Sequence, residues 1–247
     1  MFWLTRSVNL GNRVRDRNIL RWIATNHCSS VNNSTFSIIK HHIFYAATND
    51  LSAELFHHFH ASTQEAMEEF VLFDFTKLPN LHGWSEMSDV VREVGMSKAV
   101  LVLQKTQRFQ RGVLFTMLNP QPNGAGFAGF RTDTELDLSD YNTLRLHCRG
   151  QGENYGYKVV LRHKNENTEP FPSYEQMFQA PNRKFETVDL PLAGFEPYYR
   201  GKKQNQSAPL DKSQITNFEF QIYGGVYLPV KQAGTSSLEI DWVKAVP

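Results

Sequence analysis

Residues 216–223 read Thr-Asn-Phe-Glu-Phe-Gln-Ile-Tyr, and this stretch decides the fold class. Phe218 and Phe220 alternate with Glu219 and Gln221, so apolar and polar side chains fall on opposite faces of an extended chain. A period of two is typical of an antiparallel strand that packs one face on a core and keeps the other polar. The stretch therefore predicts a half-buried strand.

The chain closes with a second alternating stretch, Ser-Leu-Glu-Ile-Asp-Trp-Val-Lys at 237–244. The inward face is predicted to carry Leu238, Ile240 and Trp242, and the outward face Glu239, Asp241 and Val243. On a strand, Glu239 and Asp241 would lie about 7 Å apart, within the range of an inverting glycosidase pair. Such pairs are common on solvent faces, and we interpret this one as an outward face rather than a catalytic pair.

Similar alternation recurs from Phe70 to the end of the chain, with Gly, Pro and Asn turn signals between the segments. Eleven strands are predicted: Phe70–Phe75, Ser85–Glu93, Lys98–Gln104, Gly112–Leu118, Gly126–Thr132, Thr143–Arg149, Tyr157–His163, Tyr174–Ala180, Phe185–Leu190, Thr216–Tyr223 and Ser237–Lys244. No strong helical pattern separates them. This organisation predicts an all-β sandwich or jelly roll over 70–247.

Charge is unevenly distributed along the 247 residues. Residues 1–42 contain six Lys or Arg and one acidic residue, which leaves 20 basic and 24 acidic residues in 43–247. A mildly acidic body argues against nucleic acid as a partner, because phosphates require a basic face. No apolar run reaches the roughly 18–20 residues that a transmembrane helix needs.

The Arg-rich, acid-poor N-terminus over 1–45 is typical of a mitochondrial presequence. A disordered basic tail without a targeting function is the alternative. Cys28 lies in this leader, whereas Cys148 lies in an alternating apolar stretch that predicts a buried free thiol. If the leader is removed, no disulfide framework can form, which favours a reducing compartment.

A helical linker is predicted over 46–69, with Asp50 as a plausible N-cap. His57, His58 and His60 invite a metal interpretation, because His57 and His60 are one helical turn apart. No carboxylate or cysteine completes a recognisable zinc spacing, so a solvated helix face is the better interpretation.

The glycines of residues 124–129 match G-x-G-x-x-G. A dinucleotide site would require a strand before them and a helix after them, but the residues that follow alternate as a strand. We interpret these glycines as allowing close strand packing. No hydrolase, metalloprotease, P-loop or C-x-x-C motif occurs, so neither catalytic residues nor a cofactor are predicted.

An aromatic and basic loop at 197–203 follows the strand that ends in Asp-Leu-Pro. Tyrosine and arginine are frequent interface anchors, so this loop is the candidate partner-binding site. Its candidate residues are Tyr198, Tyr199, Arg200, Lys202 and Lys203. The alternative is a surface crossover whose Tyr side chains pack on the sandwich edge.

Other aromatic residues could line a sugar site, although core packing is the default at their strand positions. They are Trp84, Tyr155, Tyr157, Phe171, Tyr174 and Tyr223. A carbohydrate-binding or glycan-processing β-sandwich is therefore the alternative hypothesis of function, although fold analogy alone is a weak argument for it.

Nine short segments, taken in order, carry a resemblance to a known family. They are Phe73-Asp74-Phe75, Trp84 with Ser88-Asp89, Gly126–Arg131, Leu138–Tyr141, Leu144–Gly150, Phe195-Glu196-Pro197, Arg200-Gly201-Lys202, Pro209-Leu210-Asp211 and Leu238–Trp242. Together they resemble the complex I intermediate-associated protein family, the thirty-kilodalton assembly factor of mitochondrial NADH:ubiquinone oxidoreductase. The chain departs from the family pattern at residues 94–98, a difference compatible with a diverged paralogue.

The resemblance implies a galactose-binding-like jelly roll in the mitochondrial matrix, with peripheral association with the inner membrane possible and no transmembrane segment. It implies a non-catalytic, chaperone-like role in complex I assembly. The implied partners are complex I subunits, assembly intermediates and fellow assembly factors. The family has no established catalytic residues, so the resemblance implies none in this chain.

Overall fold

The structure is a computed structural model and describes residues 68–91 and 93–247. The predicted presequence and most of the predicted linker, with His57, His58 and His60, lie outside these residues. Residues 68 and 69 are not helical, and Phe70 begins the first strand. The regular structure of the described part consists of thirteen strands and three short 3-10 turns, without an α-helix.

One antiparallel sheet has six strands. They are β1 (Phe70–Asp74), β3 (Lys98–Lys105), β4 (Gln110–Leu118), β6 (Thr143–Gly152), β9 (Glu186–Pro191) and β13 (Gly234–Val246). Their order is β3-β4-β13-β6-β9, and β1 pairs with the second half of β13. The chain's last strand is thus central in this sheet.

The other antiparallel sheet has seven strands. They are β2 (Trp84–Ser88), β5 (Phe127–Leu136), β7 (Gly156–His163), β8 (Ser173–Gln179), β10 (Glu196–Tyr199), β11 (Lys202–Lys203) and β12 (Ile215–Tyr223). Their order is β11-β10-β8-β7-β12-β5-β2. The stretch quoted first in the sequence forms β12, which pairs with β5 on one side and β7 on the other.

Each of the eleven predicted strands overlaps an observed one. The predicted strand from Ser85 to Glu93 ends early, at Ser88, because a 3-10 turn follows it. In this turn the buried Asp89 carboxylate accepts hydrogen bonds from the main-chain nitrogen and the hydroxyl of Ser97, at 2.8 and 2.7 Å. These two bonds draw the chain around and into β3.

The core lies between the sheets and is centred on aromatic side chains. Phe75, Phe218 and Phe220 are fully buried, and Phe73 and Trp84 pack against them. Trp84 stacks on Phe220 with ring centroids 6.0 Å apart, and Phe73 meets Phe218 edge to face at 5.0 Å. Each such pair contributes about 0.5–1.5 kcal/mol beyond the area that it buries. Trp84, predicted as a possible sugar-site residue, is therefore partly buried and packs against the core.

The final strand corrects one prediction. The pairing of β13 with β6 shifts between Ile240 and Trp242, which marks a β-bulge at Asp241. The extra residue moves the inward position from Trp242 to Val243, which is fully buried. Trp242 instead lies on the outer face, half-buried, and stacks on His147 at 5.4 Å. The prediction of Trp242 as core and Val243 as outward was wrong, whereas Leu238 and Ile240 are core residues as predicted.

The thiol of Cys148 is free and fully buried, as predicted. Burial raises its pKa to about 12, so the thiolate that reacts with disulfides or metals is scarcely populated at neutral pH. Cys148 is therefore a small core residue.

Two substitutions test the corrected register. Phe218→Ala removes a fully buried ring, and we expect it to lower the free energy of unfolding by about 3–5 kcal/mol. Trp242→Ala removes a half-buried ring that contacts His147 and the Nζ of Lys244 on the outer face, and we expect a loss of about 1 kcal/mol. Chemical denaturation of the two variants and wild type measures both values. A loss from Trp242→Ala as large as that from Phe218→Ala would contradict the bulge.

Candidate functional site

A cleft of about 980 Å³ lies on the outer face of the seven-stranded sheet. Its floor consists of the outward-facing side chains of β5, β12, β7 and β8, and its rim of loops around Asn167, Arg200 and Tyr227. The alternation of β12 that places Phe218 and Phe220 in the core also places Glu219 and Gln221 on this floor. The core and the cleft therefore lie on opposite sides of β12.

The strand register aligns the floor side chains in rows. Arg131 on β5 lies opposite Glu219, Glu219 opposite Val160 on β7, and Val160 opposite Glu175 on β8. The next row contains Gly129, Gln221, Lys158 and Met177. Neighbouring strands are about 4.8 Å apart, so residues in a row interact directly.

Glu219 is the most deeply buried charged residue of the floor, with 4% of its surface exposed. Its Oε1 accepts a hydrogen bond of 2.5 Å from Nε2 of Gln221. A Cβ at position 129 would lie 2.9 Å from that oxygen and closer still to the carbonyl of Phe220, so Gly129 leaves room for the carboxylate. Burial raises the pKa of Glu219 to about 7, despite opposing effects of Gln221, Lys158, Arg131 and Arg162.

A buried ion pair lies beside Glu219. Nζ of Lys158 donates to Glu175 Oε2 at 2.5 Å, and both side chains are less than one-tenth exposed. The hydroxyl of Ser173 donates to the other Glu175 oxygen at 2.8 Å. Both oxygens of Glu175 are therefore occupied, and its charge is matched by that of Lys158.

Two arginines complete the floor. Nη1 of Arg131 donates to the carbonyl oxygen of Asn167 at 3.4 Å. Nη1 of Arg162 donates to the carbonyl oxygens of Glu166, Phe171 and Pro172 at 3.3–3.4 Å. These acceptors are neutral. In the described ranges, no carboxylate lies within ion-pair distance of either guanidinium group.

The predicted partner-binding loop forms one rim of this cleft as a hairpin of β10 and β11. Arg200 and Gly201, with φ of 49° and 75°, form its two-residue turn between Tyr199 and Lys202. Positive φ at both central positions is typical of a type I′ turn, which a glycine at the second position favours. The sequence analysis predicted a loop at 197–203 and missed its two short strands, because Arg-Gly lacks the usual Asn-Gly signal of such hairpins.

Four of the five predicted site residues line the cleft: Tyr198, Arg200, Lys202 and Lys203. Tyr199 does not, and its ring packs against the guanidinium of Arg200 at 5.3 Å. Arg200 forms a bidentate ion pair with Glu169 at 2.6 and 3.2 Å, and Lys203 pairs with Glu196 at 2.5 Å. Lys202 lies 5.7 Å from the ring centre of Tyr227.

The sequence interpretation missed the floor residues Arg131, Lys158, Arg162 and Glu175. Each occupies the polar position of an alternating strand, where a solvated face is the default. A cluster of charges on one sheet face becomes visible only when the strands are paired in register. Among the aromatic residues considered for a sugar site, Tyr223 lines the cleft, whereas Tyr157 and Tyr174 are buried in the core.

The carboxylates Glu239 and Asp241 lie on the outer face of the other sheet, as predicted. Arg111 and Arg149 each donate to Glu239 at 2.7 Å, and Asp241 lies 3.0 Å from Nδ1 of His147. Burial raises the pKa of Glu239, but the hydrogen bonds from Arg111 and Arg149 bring it below the ordinary value. The glutamate is therefore an ionised structural residue, which agrees with its interpretation as a non-catalytic face.

Comparison with known proteins now identifies the family. A sequence model of complex I intermediate-associated protein 30 (CIA30) matches residues 73–240, about two thirds of the chain. The chain belongs to the CIA30 family. An uncharacterised protein of Schizosaccharomyces pombe is 26% identical to this CIA30-family protein over 133 residues, which are 50% of this chain and 59% of the relative. The alignment thus spans about three fifths of that relative's length.

Solved structures show the fold of this CIA30-family protein. A family 11 carbohydrate-binding module from Clostridium thermocellum, in complex with a mixed-linked tetrasaccharide, superposes with a TM-score of 0.55 at 14% identity. The match covers 73% of this chain and 96% of the module. The family 11 module of the cellulase Lic26A-Cel5E from the same organism gives 0.53 at 16% identity, covering 73% and 95%. The galactose-binding-like jelly roll is confirmed; at these identities the likeness concerns the fold alone.

In the part of the CIA30-family protein that the structure describes, no group of His, Cys, Asp and Glu is arranged to hold a metal ion. No helix in the same residues is long and apolar enough to cross a bilayer.

The buried carboxyl of Glu219 predicts a pH-dependent stability. Its folded pKa of about 7 exceeds the ordinary value of 4.5, so folding favours the protonated form. The stability gained from this form is present below pH 4.5 and lost as the pH rises toward 7. From pH 5 to pH 8, the free energy of unfolding of wild type should therefore fall by about 2 kcal/mol relative to that of Glu219→Gln, because glutamine does not ionise.

Denaturation of the full chain at both pH values measures this difference. Glu186→Gln, at an exposed position of the other sheet, is the control for removing one carboxylate. A wild-type-to-variant difference that stays constant between pH 5 and pH 8 would contradict the burial of an ionisable Glu219.

Proposed function

We propose that this protein is a non-catalytic assembly factor for mitochondrial respiratory complex I, which binds assembly intermediates or fellow assembly factors through the cleft. The observation that carries the proposal is the family match over residues 73–240. The cleft is a suitable surface for binding a protein partner, because it combines charged floor residues with aromatic and basic rim residues. Tyrosine and arginine at such a rim are the residue types that dominate protein interfaces.

The chemistry of the floor supports binding rather than catalysis. Glu219 and Glu175 lie in one row, separated by Val160. A glycosidase would need one such carboxylate to protonate the leaving group and the other to meet a water or the sugar. Here Glu219 is 4% exposed and Glu175 is 8% exposed. Both oxygens of Glu175 are already occupied by Lys158 and Ser173. Neither carboxylate is available to a substrate.

Carbohydrate binding draws its support from the fold shared with modules such as the one solved with a tetrasaccharide. Sugar rings stack on exposed aromatic faces, whereas this floor is made largely of charged and amide side chains. Four aromatic side chains line the cleft: Phe127 on β5 lies opposite Tyr223 on β12 at one end of the floor, and Tyr198 and Tyr227 belong to the rim. A glycan array probed with the full chain distinguishes the two functions, and strong binding to one glycan class would favour the alternative.

The proposed site of action is the mitochondrial matrix, with peripheral association with the inner membrane. Its support is the family together with the Arg-rich leader over residues 1–45. We expect residues 1–45 fused to a fluorescent protein to direct it to mitochondria, since basic, acid-poor leaders are read as import signals. A diffuse cytosolic signal would remove the leader from the proposal.

Partner capture tests the role of the rim. We expect affinity purification of the full chain from mitochondria to recover complex I subunits or assembly factors. Arg200→Ala should reduce that recovery roughly fivefold, the equivalent of about 1 kcal/mol for a rim arginine. Its stability should change little, because the Arg200–Glu169 pair is half exposed.

Lys77→Ala is the matched control, since Lys77 is also an exposed, ion-paired cation but lies outside the cleft. Recovery by Arg200→Ala equal to that of the control would exclude the hairpin from binding. If wild type recovers no complex I component and complex I is normal in a knockout, the proposed function is wrong.

A further inference from the structure

We propose that the cleft takes an acidic, extended peptide segment of the protein partner, whose carboxylates pair with Arg131 and Arg162 on the floor. The inference rests on the proposed function and names the chemistry of the segment that is bound.

The cleft concentrates positive charge within an acidic body. Residues 43–247 contain 20 basic and 24 acidic side chains. The cleft lining reverses this balance, with six cations and three carboxylates. The cations are Arg131, Lys158, Arg162, Arg200, Lys202 and Lys203, and the carboxylates are Glu169, Glu175 and Glu219. A ligand that enters this cleft is therefore selected for negative charge.

Within this set the cations differ in whether their charge is already matched. Lys158, Arg200 and Lys203 have carboxylate partners at 2.5–2.6 Å. Arg131 and Arg162 have neutral carbonyl acceptors instead. Glu219 lies opposite Arg131, and it is the one floor carboxylate left to compensate both arginines, because Glu175 is paired with Lys158. The floor therefore holds two positive charges with incomplete compensation.

The two guanidinium groups converge on one place. Arg131 donates to the carbonyl of Asn167 and Arg162 to the carbonyl of the preceding residue, Glu166, although the two arginines come from strands on either side of β12. Burial lowers the pKa of Arg162, the charge of Glu219 opposes this effect, and the charge of Arg131 adds to it, while Glu175 and Glu169 also oppose it. An incoming carboxylate would relieve this repulsion, and arginine binds carboxylates in a planar, bidentate geometry.

The position of these arginines favours a peptide over a lipid surface. Both are half-buried on the floor, whereas the exposed Arg200 and Lys202 stand on the rim. A flat bilayer would meet the rim cations and leave the floor unpaired, but a narrow extended chain can carry its side chains down to the floor.

Fluorescence anisotropy with the full chain tests the inference, with a fluorescein-labelled peptide of eight glutamates as the probe and a lysine peptide of equal length for comparison. We expect the glutamate peptide to bind with an affinity that falls as salt is raised, because the contacts are ionic. Arg131→Gln combined with Arg162→Gln should weaken binding at least about tenfold, since charge-assisted pairs are the strong ones.

Lys105→Gln combined with Arg108→Gln removes the same charge from the exposed β3–β4 turn and should change the affinity less than about twofold. Circular dichroism of both double variants monitors folding. If the floor double variant fails to fold, Arg131→Gln alone is used, since Arg131 has a single carbonyl contact.

The inference is overturned if the glutamate peptide does not bind, or if floor and control variants bind it equally. It is also overturned if the floor variant loses binding to phosphatidylserine vesicles or to a mixed-linked glucan tetrasaccharide rather than to the peptide. Capture of partners from mitochondria distinguishes a failure of the acidic-segment inference from a failure of the proposed function. If the floor variant still recovers complex I components, the acidic-segment inference fails and the proposed function stands. If wild type recovers none, the proposed function fails.

Discussion

The two-residue alternation along β12 is the constraint on which the rest of the structure depends. Phe218 and Phe220 point inward and hold the aromatic core that joins the two sheets. Glu219 and Gln221 point outward and form the centre of the cleft floor. A slip of one residue in this strand would exchange the two sets, which would bury charges in the core and expose aromatic rings. The strands on both sides, β5 and β7, are held in register by the same pairing.

The fold was predictable from the sequence because the same alternation recurs in eleven stretches, and each of them became a strand. The errors have local causes. A bulge at Asp241 shifts the register. The bulge is not evident from the residue pattern, so Trp242 was assigned to the wrong face. The hairpin at Arg200 and Gly201 was missed because its first turn residue is an arginine held at φ of 49°.

The site was predictable only in part. The rim could be recognised because its aromatic and basic residues are contiguous in sequence. The floor could not, because Arg131, Glu175 and Glu219 come from three strands that are far apart in the chain and meet only in the paired sheet. Charged residues at the polar positions of a strand look like a solvated face until their neighbours across the sheet are known. Here those neighbours bury Glu219 and leave Arg131 and Arg162 without a described carboxylate within ion-pair distance.

The outer faces of the two sheets differ in how their charges are satisfied. On the six-stranded sheet, Glu239 is matched by Arg111 and Arg149, and Arg111 lies between the rings of Phe109 and Phe185 at 4.2 Å from each. Each charge of that network lies beside an opposite charge within the sheet face. On the seven-stranded sheet, the cleft retains unmatched positive charge. The central claim is therefore that this face, and not the other, binds the assembly partner.

Oxidative footprinting of methionines tests that claim most directly. Met177 lines the cleft and is 39% exposed, whereas Met117 lies on the outer face of the six-stranded sheet and is 48% exposed. The two side chains thus have similar chemistry and accessibility on opposite faces. In the complex captured from mitochondria, the account predicts that oxidation of Met177 falls relative to the free protein while that of Met117 is unchanged. Protection of Met117 with Met177 unaffected would contradict it.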